Sequence, residues 1–361
     1  MSFLNIISQV LLYFSVSVLV GSFILLLVPN RYRPDIHFSK RLMLISAIFI
    51  PVCAFFSVLD IVLYIAPRLG LLESFTLVLT SYTVGTAWSF TLLASIFLVL
   101  FIIFTYSTEK KSFAYIGTLL TLGIILTVAW SSHAGAMQPS LGIISDFIHL
   151  LAASVWVGIL LIIALFSKNN QNWLVFLDWF SIVAFGCLTA TFLSGIVMSD
   201  ILTDGYVKSW TISYGQGLLV KHLFLLPVLF YALINGVIVK YKLRKDDSFN
   251  PIPWVRLESF LLFIIFAITA VYTQQAPQVS SLTNETISPL FRLFHGTIID
   301  GVQSVGFAVN AYTVCFFFIA LLFLGLMILT YKKASHLASF FFSCLFVLSA
   351  YIMLMVSVVL R

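Results

Sequence analysis

Apolar runs separated by short polar breaks recur along the whole chain, near residues 6–28, 42–65, 82–105, 113–130, 143–166, 178–199, 216–239, 257–274, 309–330 and 337–360. Each is close to the roughly 20 residues that a helix needs to cross about 30 Å of hydrocarbon. The alternating pattern of an outer-membrane barrel strand does not occur. The pattern therefore predicts an all-α polytopic membrane protein of about ten transmembrane helices. The first run lacks the basic lead and small-residue cleavage site of a signal peptide, so it is expected to be retained as a span. One long break, from Gln274 to Val309, places Ile287, Leu290, Phe291, Phe294, Ile298 and Val302 near helical spacing. It predicts either an amphipathic helix on the outer interface or a plain connection with a short helix.

Composition sharpens this picture. The chain is 61% hydrophobic and 9% charged, against about 25% charged residues in soluble domains. The formal charge of +6 comes from short basic clusters between spans, the distribution that sets orientation in a bilayer rather than nucleic-acid binding. Of 19 Lys and Arg, all but Arg68, Lys208, Lys221, Arg292 and Arg361 fall in one set of loops. Taking that set as cytoplasmic puts both termini outside. Cys53, Cys187, Cys315 and Cys344 all sit in apolar runs with no ligand spacing, and are expected to pack as small hydrophobes.

The stretch from Ser131 to Leu161 departs most from this background, because it runs from a polar loop with His133 and Met137 into an apolar helix carrying Asp146, His149 and Trp156. Ionisable groups inside a span are costly, and by default they mark a pathway or a binding site. The i, i+3, i+7, i+10 series Asp146, His149, Ala153, Trp156 lies along one helical stripe, and His149 falls roughly 10 Å below the helix start. Span seven enters from the same side and sets Lys221 and His222 at similar depth.

His133, His149 and His222, with thioethers from Met137 or Met198, form a candidate metal set, and mixed imidazole and thioether donors suit copper better than oxygen-seeking magnesium or calcium. The alternative, that His149 only hydrogen-bonds across helices, stays open at this point, and the fixed spacings of tetrahedral zinc sites are absent. Asp146 could pair with Lys221, or orient His149 from behind. Asp60, Asp200 and Asp204 could form an acidic rim at the outer face, or be merely solvated. Glu258 reads as an anchor near the countercharges of Arg256 and the Lys240–Lys245 cluster. A pairing of His149 and His222 as axial ligands of a b-type haem, in an electron-transfer protein, is a rival reading.

The chain resembles the copper resistance D family of bacterial inner-membrane proteins (CopD or PcoD type). The resemblance rests on SSHAGA at 131–136, DFIHLLAASVWVGIL at 146–160, Ser194-Gly195, YGQGLLVK at 214–221, Asn235, RLE at 256–258 and TAVYTQQAP at 269–277. It suggests three regions: a membrane region over 1–130, a CopD-like core over 131–277, and an outer loop with two further spans over 278–361. It implies a bacterial cytoplasmic-membrane protein that is a transporter rather than an enzyme, moving copper ions inward. Copper would be handed over by a CopC-like extracytoplasmic carrier, expected here as a separate chain. His133, Asp146, His149, Trp156, Tyr214 and Lys221 match the family's motif positions, with His133 and His149 as the implied ligands. His222 departs from the pattern, in which an apolar residue follows the lysine. A membrane factor that senses copper or helps assemble a copper enzyme is the remaining alternative.

Overall fold

The structure, a computed structural model, describes residues 2–168, 171–246, 249–278, 283, 285–296, 305–333 and 335–360. Ten helices among them are long and apolar enough to cross a membrane, and they coincide with the ten runs read from the sequence. They are α1 (Ser2–Leu27), α2 (Lys40–Leu69), α4 (Thr83–Thr105), α5 (Lys111–Trp130), α7 (Pro139–Phe166), α8 (Trp173–Leu202), a seventh over 213–245, α11 (Ile252–Tyr272), α13 (Ala311–Lys332) and α14 (His336–Ser357). The seventh is built of α9 (Ser213–Leu233), a π-helical turn (Ile234–Val239) and α10 (Lys240–Lys245). Three short helices lie between spans: α3 (Leu71–Ser81), α6 (His133–Met137) and α12 (Pro289–His295).

The chain divides into two compact units, one of residues 1–202 with 234–259, the other of 203–233 with 260–361. In the first, α1 is the central element: Leu19 and Phe23 are fully buried against Met43, Ala47 and Ile50 of α2, Leu98 and Ile102 of α4, and Phe113 and Ile124 of α5. On another face α1 meets α7 backbone to backbone. A Cβ on Gly21 would stand 2.2 Å from the Gly158 carbonyl carbon, and one on Gly158 would stand 2.1 Å from the Ser17 carbonyl oxygen. Ser17 and Gly21 face Ser154 and Gly158 in a small-xxx-small crossing, the means by which helices approach closely where lipid supplies no hydrophobic drive.

Helix ends at one side of this unit are capped by cations. Arg33 Nε donates to the Val28 carbonyl at 3.0 Å, Lys40 Nζ to Ile103 at 2.9 Å and Arg256 Nε to Ala164 at 2.9 Å. These satisfy carbonyls left over at the C-terminal ends of α1, α4 and α7 and complement the negative ends of their dipoles.

In the second unit, α9 packs on α14 around Leu219, Leu223, Val347, Ala350 and Met355. Tyr231 hydrogen-bonds Ser339 and Ser343, and Tyr351 donates to the Gln216 side chain. The chain leaves α14 as a three-residue strand, β2 (Val358–Leu360), antiparallel to β1 (Val305–Phe307), whereas the sequence pattern carries the helix to residue 360. Of the two readings of the 274–309 break, the described residues hold a short helix, α12, whose Phe291 is fully buried and whose neighbour Ile287 is 3% exposed. Ile298 and Val302 lie outside the described residues. Packing of Ile287 and Phe291 into the unit's core, with Gly296 closing the helix at φ +69, explains the short element.

Candidate functional site

The loop that bears His133 is pressed onto the start of α7. Ser132 caps α6 by accepting from Gly135 N at 3.1 Å, as N-cap serines do. A Cβ on Gly142 would stand 1.9 Å from the Ala134 carbonyl oxygen. Only glycine permits this approach. His133 and Met137 themselves are exposed.

Asp146 is buried one turn ahead of His149 on α7, and His149 is half-buried against α8. His149 Nδ1 lies 3.2 Å from Ser194 Oγ, and the α8 backbone passes the ring at Gly195. Ser194 Oγ also lies 2.7 Å from the Ala190 carbonyl and 3.2 Å from that of Thr191. With its hydrogen given to Ala190, Nδ1 would donate to Ser194, the tautomer that places the ring's lone pair on Nε2. Met198 lies one turn beyond Ser194 on the same face of α8, toward the end of His149 at which Asp146 stands.

Two turns further along α7, Trp156 Nε1 donates to Glu258 Oε1 at 3.3 Å, and Asn235 Nδ2 to Glu258 Oε2 at 2.6 Å. Glu258 is 2% exposed. Its partners are neutral, not the countercharges expected from Arg256 and the lysine cluster. Arg256 is turned to the Ala164 carbonyl, and Lys240 to Asp178 at 3.0 Å.

Asp60 accepts from the Asn5 amide of α1, which joins it to a helix contact. Asp200 and Asp204 are exposed, and Asp204 is paired with Lys208. Among the described residues, no three His, Cys, Asp or Glu side chains stand close enough to share a metal ion.

The remaining candidates belong to the second unit. Lys221 Nζ donates to the Tyr272 hydroxyl at 3.3 Å, and Tyr272 meets Tyr214 edge-on, ring centroids 5.0 Å apart. His222 Nδ1 is 2.7 Å from the Tyr206 hydroxyl. Burial pushes the Tyr206 phenol up to about 12, so it keeps its proton and can donate to that nitrogen.

Sequence reasoning singled out Asp146, His149 and Trp156 but gave Ser194 and Asn235 no role. The signal available for both was a small polar residue in an otherwise apolar span.

Two models of one family match the chain. The model of the N-terminal domain of copper resistance protein D-like proteins matches residues 1–143, and the copper resistance protein D model matches residues 174–272. His133 lies within the first match, and Ser194, Tyr214, Lys221, Asn235 and Glu258 within the second. Asp146, His149 and Trp156 fall between them. The chain is also similar to a copper transport protein, CutJ, of Bacillus subtilis (strain 168), with 26% identity over 201 residues. The match covers 52% of this chain and 36% of that protein. No solved structure matches. With the two matches together spanning most of the chain, and in the order the motifs require, the protein belongs to the copper resistance protein D family.

Proposed function

We propose that this chain carries copper ions across a bacterial cytoplasmic membrane, inward, through a path in the first unit that begins at His149. Family membership and the name of the Bacillus relative support copper as the cargo. The observation that carries the site is the contact between His149 Nδ1 and Ser194 Oγ at 3.2 Å, which holds a half-buried imidazole against α8 inside a span. Asp146, one turn outward, adds negative charge for an approaching cation, and Met198 supplies a thioether near the same level. His133 and Met137, exposed on the short α6, are placed to pass copper from a CopC-like carrier to the helix.

The path would be passive or gradient-driven, since no phosphate-binding loop is present in the sequence. Elemental analysis of the purified protein tests the site: the wild type should retain copper, and His149→Ala should lose most of it together with copper accumulation in expressing cells. Equal copper in both would remove His149 from the path. The same preparation decides against or for haem, because a bound b-type haem would announce itself as a Soret band.

A further inference from the structure

Glu258, Asn235 and Trp156 form a second polar site in the first unit, distinct from the His149 region and unused by any step above. All three side chains are at least 96% buried, with exposures of 2%, 4% and 4%. Isolated charge in such a place is strongly disfavoured unless it is paired, and among the described residues no ion pair to Glu258 is formed. On its own helix Arg256 Nε is given to the Ala164 carbonyl. From the π turn and α10, Lys240 is given to Asp178 of α8 at 3.0 Å. On α8, Cys187 lies beside the Trp156 backbone. On α7 the nearest ionisable group is His149, seven residues and about 10 Å along the axis.

Asn235 Nδ2 stands 2.6 Å from Glu258 Oε2. A half-turn of the amide exchanges its nitrogen and oxygen. Glu258 can therefore sit in two states with the same neighbours. Ionised, it accepts from Asn235 Nδ2 and Trp156 Nε1. Protonated on Oε2, it donates to Asn235 Oδ1 and still accepts from Trp156. In the first state Oδ1 is buried with no partner among the described residues, and the half-turn that brings it to Glu258 carries Nδ2 into that place. Asn235 also stands in the π-helical turn of 234–239, a wider turn of the kind found where helices carry function. It gives the amide a backbone looser than that of a regular α-helix.

We infer that Glu258 and Asn235 form a proton-binding site: Oε2 takes up one proton and releases it, with rotation of the Asn235 amide accompanying each change. No electrons move and no other bond forms or breaks. Because Trp156 joins this site to the helix that carries His149, proton uptake has a direct mechanical route to the copper-binding region. Coupling of the two ions rests on the copper reading, whereas the proton site itself does not.

Infrared spectroscopy of the purified protein, free of copper, reads the site directly. Wild type should show a protonated-carboxyl stretch that fades as pH is raised and is missing in Glu258→Gln. Asn235→Leu, which keeps the carboxyl, should shift that band and move its titration midpoint, and it serves if Glu258→Gln fails to fold. A carboxyl band absent at every pH, or present but indifferent to both pH and Asn235→Leu, overturns the site. In cells, Glu258→Gln should flatten the pH profile of copper accumulation while copper content of the purified protein stays at the wild-type level. An unchanged profile overturns the coupling. Loss of copper in His149→Ala with no titrating band would leave copper transport standing and remove the proton site. A titrating band with copper unaffected by His149→Ala would do the reverse.

Discussion

Ser194 Oγ holds His149 at Nδ1, 3.2 Å away, and also reaches the Ala190 carbonyl. Removing the hydroxyl takes away the partner that Nδ1 has on α8. Outer partners of metal-binding histidines are typically worth 10–100-fold in affinity, so Ser194→Ala should weaken copper binding by about that factor. Ser194→Thr, which keeps a hydroxyl able to bond the same carbonyl, should recover most of it. Copper titration of the three proteins checks both, and equal affinities would show that the bond merely fills space. His149 itself was legible in the sequence, because an ionisable residue in an apolar run is conspicuous. Ser194 was not, since serine is common in spans and its role depends on which helix lies opposite. Glu258 was conspicuous too, but its meaning turned on the absence of a cation at its side. That absence follows from Arg256 and Lys240 finding a carbonyl and Asp178 instead.

The α1–α7 crossing fixes the helix on which both polar sites depend. The residues that make it, Ser17, Gly21, Ser154 and Gly158, repeat at i, i+4 on each helix and could be read as a close-packing stripe once the two helices are known to be neighbours. Periodicity alone names no neighbour. Gly158→Val would place a branched side chain where even a Cβ stands 2.1 Å from the Ser17 carbonyl oxygen. Backbone cannot yield as a side-chain tip does, so the cost should reach or exceed the usual overpacking range of about 1–3 kcal/mol. The variant should unfold at a clearly lower temperature than wild type in detergent, and should lose copper because α7 shifts. A Tm within a degree of wild type would mean that the crossing is not tight. The ten spans were legible because length and hydropathy follow directly from bilayer thickness. The short elements were not. α3 appears as a polar-interrupted apolar stretch too short to span, and α12 stops at Gly296 because Ile287 and Phe291 are drawn into a core that no local pattern reveals.

Charge orders the chain as a whole. Fourteen of the 19 Lys and Arg fall in loops that alternate consistently through ten spans, and the positive-inside rule makes that side cytoplasmic. Within the first unit, three of these cations do a second task at the same end, where Arg33, Lys40 and Arg256 close the C-termini of α1, α4 and α7. One placement of positive charge thus satisfies both the membrane rule and the helix dipoles. On that rule the loop before α7 would face outward and the loop between α4 and α5 the cytoplasm, with His149 entered from outside and Glu258 toward the inner ends. Single cysteines at Ser140 and Ser107, placed in a chain whose Cys315 is replaced by alanine to remove its exposed thiol, read this directly. A membrane-impermeant maleimide should label the Ser140→Cys protein in intact cells and the Ser107→Cys protein only after permeabilisation. The opposite pattern would invert the chain. It would put the His149 end of α7 at the cytoplasm and turn the same geometry into an export path, because nothing in the His149–Ser194 pair itself favours one direction. On the proposed copper path, direction would in that sense be a property of the loops, set by where fourteen cations stop at the membrane surface.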